Sequence, residues 1–126
     1  MLKLRVIDSI TELGAGDEGC MAVSGSHGGL SSARYALAAR PLLSVFNDAG
    51  VGKEQAGIAA LDFLQARNLA ACTVSHLSAR IGEAQSTLDD GIVSHLNALA
   101  FAQGVRVNER CHQVIDTLQS LQRKTP

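Results

Sequence analysis

Tryptophan is absent from the 126 residues, and Tyr35, Phe46, Phe63 and Phe101 are the only aromatic side chains. Stacking on nucleic-acid bases needs aromatic platforms, so the chain is poorly equipped for it. Excess positive charge, the basis of general nucleic-acid affinity, is missing too. Lys and Arg total 11 against 12 Asp and Glu, a formal net charge of −1. No nucleic-acid partner is expected. Paired cysteine motifs are also lacking: Cys20, Cys72 and Cys111 are odd in number and widely spaced. Neither a disulfide framework nor a zinc ribbon is indicated, and reduced thiols in a cytoplasmic setting are the simplest expectation. No uncharged stretch is longer than residues 91–105, short of the roughly 18–20 apolar residues of a membrane helix. The opening residues Met1-Leu2-Lys3-Leu4-Arg5 carry charge within their apolar alternation and lack the core of a signal peptide. No membrane partner is expected.

What the chain does have is a globular apolar fraction, 46%, enough for an ordered core. Its length suits one domain over residues 1–126. Leu2, Leu4 and Val6 alternate with Lys3 and Arg5, the period of a half-exposed strand at a sheet edge. Residues 9–18 read as a loop. Short uncharged runs follow at 20–23, 42–46 and 70–74, each ending in small and polar residues. Strands buried on both faces look like this. Helices are expected from Ser31 or Ser32 to Ala39, stopped by Pro41, and from about Lys53 to Arg67, where Ile58, Leu61 and Leu64 form a stripe. Asp89 or Asp90 is placed to cap a helix carrying Ile92, Leu96, Leu99 and Ala100 to Gly104. Asn108 is placed to cap a last helix bearing Val114, Ile115, Leu118 and Leu121. The tail at 122–126 reads as polar and frayed.

Apolar strands alternating with helices define an α/β fold. A small three-layer sandwich is expected, with a mostly parallel sheet of about four strands and helices on both faces. A general likeness to doubly wound, Rossmann-like folds is all that the pattern suggests, and a fold alone assigns no function. Open sheet edges make a homo-oligomer the expected state.

In open α/β sheets ligands bind beyond the carboxyl ends of the strands. Three polar loops leave such ends, at 24–29, 47–53 and 75–82. The first offers Ser26 and His27 with Gly28 and Gly29, whose backbone N–H groups suit an anion near a helix start. The second offers Asn47, Asp48, Gly50, Gly52 and Lys53. Asp48 is a candidate base, and Lys53 at a helix start gains from a nearby anion. It is not a Walker A loop, since Gly50 and Gly52 are too close and Glu54 follows Lys53. The third offers His76, Ser78 and Arg80, the guanidinium being suited to a carboxylate or phosphate. Tight turns, helix caps and surface ion pairs would account for the same residues.

Other patterns carry less. Residues 14–19 match G-x-G-x-x-G but open a strand, and Asp17 and Glu18 would repel a pyrophosphate. Ser26, His76 and Asp48 supply the residue types of a triad without the G-x-S-x-G elbow. His27, Asp48, His76 and Asp89 show no metal-ligand spacing. His95 and His112 fall within expected helices. Cys72 reads as an inert strand thiol.

The expected function is binding of a small anionic metabolite, with Asp48, His27 and His76 available for acid–base chemistry of a hydrolase or isomerase type. The cofactor is unknown. A non-catalytic assembly module is the alternative, and a Ser- or Cys-dependent hydrolase a further one. Replacing Arg80 by Ala is expected to weaken ligand binding by about 1.5–3 kcal/mol, as for a lost charged hydrogen bond. Calorimetry with an identified ligand checks this, and unchanged affinity removes Arg80 from the site.

Overall fold

The computed structural model describes residues 2–124. Its sheet contains β1 (Leu4–Ile7), β2 (Met21–His27), β3 (Leu43–Asn47), β4 (Ala70–Val74) and β5 (Val93–Leu96). The strands lie in the order β1-β2-β3-β4-β5. The first four are parallel and β5 is antiparallel to β4. The α/β sandwich and mostly parallel sheet are as expected, with five strands rather than four.

Helices α1 (Leu30–Ala39) and α2 (Ala59–Gln65) pack on each other against one face of the sheet. Ala22, Phe46 and Ala71 point to that face and meet Ala33, Ala36, Ala60 and Leu64. Small side chains there let helix and strand backbones approach closely. The other face presents Met21, Val23, Leu43, Val45 and Cys72 to α4 (Ala98–Ala102) and α5 (Cys111–Lys124) through Ala100, Val114, Ile115 and Leu118. Helix α3 (Ala84–Asp90) packs against β1, β2 and α5. Both faces of β2, β3 and β4 are thus covered, which is why their sequences are continuous apolar runs. The strand order never reverses, so the sheet lacks the switch point of a doubly wound fold. Among the described residues no helix is long and apolar enough to cross a membrane.

Several local expectations change. The helix expected after Asp89 or Asp90 is β5 followed by the short α4. Ile92, Leu96 and Leu99 do recur at helical spacing, but pairing with β4 buries Val93 and decides the conformation. His95 therefore lies on a strand, whereas His112 does lie in α5. The helix expected from Lys53 is a 3-10 turn, Lys53–Ile58, with Glu54 and Gln55 at positive φ, and only then α2. Helix α1 starts at Leu30 with Gly29 at its cap instead of a serine. Asn108 stands in a turn at φ 75°, ahead of α5 rather than capping it. Residues 24–27 belong to β2 and not to a loop. The loop at 9–18 contains 3-10 turns at Ile10–Glu12 and Ala15–Asp17. The tail expected to fray from residue 122 is helical through Lys124, while Thr125 and Pro126 lie outside the described residues.

Strand β1 is an edge, yet it is guarded. Asp17 Oδ1 accepts from Lys3 Nζ at 2.7 Å, and both its oxygens accept from Arg5 Nη1 at 2.7 Å. Asp17 also accepts from the Gly14 N–H at 2.8 Å. The residues matching G-x-G-x-x-G therefore fasten a turn beside the edge strand. Charged side chains on an edge discourage pairing with another sheet, so β1 offers little to self-association.

The Lys3 ammonium foremost, with the Gly14 N–H and the Arg5 guanidinium, holds the Asp17 carboxyl well below the usual carboxylate range against the opposing effect of burial. A carboxyl whose pKa folding lowers stabilises the native state above its unfolded value, and that contribution is lost as pH falls toward the folded value. Asp17→Asn is expected to lower the melting temperature at neutral pH. The gap from wild type should narrow once pH falls below the ordinary value of 3.8. Thermal unfolding followed by circular dichroism from neutral pH to about pH 2.5 checks it; a gap independent of pH contradicts the ion-pair account.

Candidate functional site

Parallel strands deliver their exits to one end of the sheet. Asp48 follows β3, and its N–H donates to the Val74 carbonyl of β4 at 2.9 Å. Asp48 Oδ1 then accepts from the Gly50 N–H at 2.8 Å, the His76 N–H at 3.1 Å and His76 Nδ1 at 3.2 Å. Burial raises the Asp48 pKa. The Gly50 N–H, the Ser94 hydroxyl and the His76 N–H and ring outweigh it, so the net shift is downward. The carboxyl is therefore ionised at neutral pH and can only accept. That assigns the proton of the neutral imidazole to Nδ1 and leaves Nε2 as the free base. The Asp48 side chain is 7% exposed and that of His76 48%. A buried anion thus orients a ring that solvent can reach.

The loop carrying Asp48 is tightly wound. Ala49, Gly50, Val51 and Gly52 all have positive φ, at 52°, 77°, 67° and 72°. For the β-branched Val51 this is a strained conformation. It is held because the Val51 N–H donates to the Asp48 carbonyl and the Gly57 N–H to the Val51 carbonyl, each at 2.7 Å. Gly57 sits directly under Asp48, and a side-chain carbon there would collide with the Asp48 carbonyl.

The segment leaving β4 crosses the rim. Asn47 is fully buried, accepting from the Ala49 N–H at 2.8 Å and donating to the Ala79 carbonyl at 3.1 Å. Farther on, the Gly82 N–H donates to the Gly25 carbonyl at 2.7 Å and the Ala84 N–H to Asp8 Oδ1 at 2.9 Å. Gly25 permits the crossing, since a Cβ on it would lie 2.5 Å from the Glu83 nitrogen. Beneath this segment lies a cleft of about 840 Å³, lined by Asn47, His76, Ser78, Arg80, Glu83, Ser86, Asp89 and Asp90 among others. That volume suits a small molecule.

Of the candidate residues, Asn47, His76, Ser78 and Arg80 meet at this cleft, with Asp48 behind His76. Ser26 and His27 do not join them. They line a separate cavity of about 260 Å³ with Ser31, Ser32 and Tyr35, and Ser26 Oγ accepts from the Ile10 N–H. The backbone cradle is largely used up internally. Gly28 N–H donates to the Asn47 carbonyl, Gly50 N–H to Asp48 and Gly52 N–H to the Gly50 carbonyl, while Gly29 N–H has no partner among the described residues. Lys53 opens the 3-10 turn and is not part of the cleft lining. Ser78 Oγ donates to the Ser75 carbonyl and accepts from the Ile92 N–H, so it clasps the exit of β4 to the entry of β5. Arg80 is 80% exposed, with Glu83 at 3.9 Å.

All three cysteines are buried and unpaired. Burial pushes the Cys20 thiol up, Cys111 up to about 12 and Cys72 well above its ordinary value. Thiolate nucleophiles are not formed under such conditions. Among the described residues, no three His, Cys, Asp or Glu side chains are grouped to hold a metal ion. Glu83, Ser86 and Asp90 were not candidates for the site from sequence, and Asp89 entered only with the histidines that lack metal-ligand spacing. Only the path of the crossing segment brings them to the cleft, and no local pattern marks them. No family model matches the chain, and neither a curated protein nor a solved structure matches it.

Gly57→Ala is expected to destabilise the protein by about 1–3 kcal/mol, because the added methyl must displace the Asp48 backbone. Gly16→Ala, which meets nothing within 4 Å, should change stability by less than about 0.5 kcal/mol. Urea denaturation of the two variants checks the contrast; equal effects would remove the steric claim.

Proposed function

We propose that the chain is a small-molecule-binding α/β protein whose ligand lies in the cleft beyond β3 and β4, and that His76 moves a proton there. The carrying observation is the 3.2 Å contact from His76 Nδ1 to the buried Asp48 carboxylate. Asp48 fixes the ring and its tautomer, leaving Nε2 as the nitrogen that takes the proton. Such a base serves either a proton shift within the ligand or the activation of a water for hydrolysis. Proton transfer of this kind contributes about 10²–10⁴-fold to a rate.

The anionic character of the ligand now rests on Arg80, the one Lys or Arg of the lining among the described residues, which also holds Glu83, Asp89 and Asp90. A single carboxylate or phosphate would have to sit at the Arg80 guanidinium, while the three carboxylates of the lining oppose it and disfavour polyanions. The assembly-module reading has its own support. Leu77 is 87% exposed and Ile81 54%, both at the cleft mouth. Apolar side chains so placed suit a second subunit as well as a ligand.

Thermal-shift screening with carboxylates, monophosphates and neutral metabolites is the first test, since a ligand of the native state raises the melting temperature. For a substrate found this way, His76→Gln and Asp48→Asn are each expected to reduce turnover by about 10²–10⁴-fold, with the far-ultraviolet spectrum unchanged. Should no compound shift the melting temperature, and light scattering show a dimer that Leu77→Ser dissociates, the assembly reading replaces this one.

A further inference from the structure

A second cleft, of about 870 Å³, opens between α2, β5 and the segment after α4. We propose that it binds an uncharged aromatic alcohol, a small molecule of the phenol class, at a lining separate from that of the cleft at His76. Its polar end is made by a β-bulge. Thr73 pairs with His95 and Val74 with Val93, which leaves Ser94 as the extra residue of β5. In a regular strand neighbouring side chains point to opposite faces, whereas a bulge re-aims one of them. Here Ser94 Oγ lies 2.9 Å from Thr73 Oγ1 and 3.2 Å from His95 Nδ1, and Ser94 and His95 both line the cleft. With Nδ1 on Ser94, His95 Nε2 has no hydrogen-bond partner among the described residues. A hydroxyl group, which both donates and accepts, satisfies this nitrogen in either tautomer.

The rest of the lining suits an apolar ring. Leu61, Leu96 and Phe101 contribute to it, and Phe101 is 52% exposed. Charge argues against an anion. The Arg106 guanidinium stacks on the Phe101 ring at 3.6 Å, and its Nη1 donates to the Phe101 and Val105 carbonyls, each at 2.8 Å. This cation is already engaged by the protein. Glu54 and Asp62, also in the lining, are exposed and hydrated, so they repel a carboxylate yet offer a cation little. A neutral ring with one hydroxyl is the chemistry left.

Titration of the ¹⁵N-labelled full chain with p-cresol, toluene and benzoate tests this by NMR. Saturable shifts centred on the Ser94, His95, Leu96 and Phe101 amides are expected with p-cresol. Toluene, which lacks the hydroxyl, and benzoate, which adds charge, should each bind about tenfold more weakly. His95→Ala is expected to reduce p-cresol affinity several-fold, and Phe101→Ala, at a half-exposed ring, should do the same. The proposal is overturned by the absence of saturable shifts up to about 10 mM p-cresol, by equal or tighter binding of toluene or benzoate, or by shifts centred on His76 and Arg80. The Ser94 hydroxyl also stabilises the Asp48 carboxylate, but the two clefts share no lining residue, so failure here leaves the role of His76 and Asp48 untouched.

Discussion

One carboxylate oxygen, Asp48 Oδ1, ties the exits of β3 and β4 together. Three N–H donors converge on it, from Gly50, from the His76 backbone and from the His76 ring. These bonds keep the charge buried without leaving it unpaired, which an isolated carboxylate in such a position would not tolerate. They also bend the chain after Asp48 into a run of left-handed residues that includes Val51. The bend closes only because Gly57 has no side chain to strike the Asp48 carbonyl. Orientation of the His76 ring is a consequence of this arrangement rather than a separate feature.

The cleft has an origin different from that of a doubly wound sheet. There, loops diverge where the strand order reverses; here the order runs straight from β1 to β5. Concavity comes instead from the chain after β4, which travels back across the rim to β2 and β1 before entering α3. Asn47, Gly25 and Asp8 hold it in place by hydrogen bonds to Ala79, Gly82 and Ala84. Polar and glycine residues at the strand ends therefore serve mainly the backbone. Their N–H groups satisfy internal acceptors, as buried backbone groups generally do, and few remain for a ligand.

The layered α/β architecture was legible because burial on both faces leaves a local trace, a short run without charge. The runs containing Met21–Val23, Leu43–Phe46 and Ala70–Val74 all became parallel strands. Strand β5 left no such trace. Its residues Val93-Ser94-His95-Leu96 mix polar and apolar types, and the bulge at Ser94 breaks the alternation that would have marked it. The turn at Lys53–Ile58 was equally hidden, since Ile58, Leu61 and Leu64 kept helical spacing up to its end while Glu54 and Gln55 adopted left-handed backbone. Asp48 and His76 were recognisable as candidates from their positions after strands. Their contact was not, and neither was the separation of Ser26 and His27 into another cavity.

By itself the sequence determined the class of fold, the end of the sheet where polar residues gather, and the residue types available there. Those properties depend on hydrophobic patterning and on turn chemistry, which act over a few neighbouring positions. Tertiary structure alone decided that Asp48 faces His76, that the glycine N–H groups turn inward, and that Glu83, Asp89 and Asp90 line the cleft. Each of these follows from where a segment distant in the chain comes to rest. Pairing and packing between such segments are settled by the free energy of the whole molecule, which no short window of residues contains.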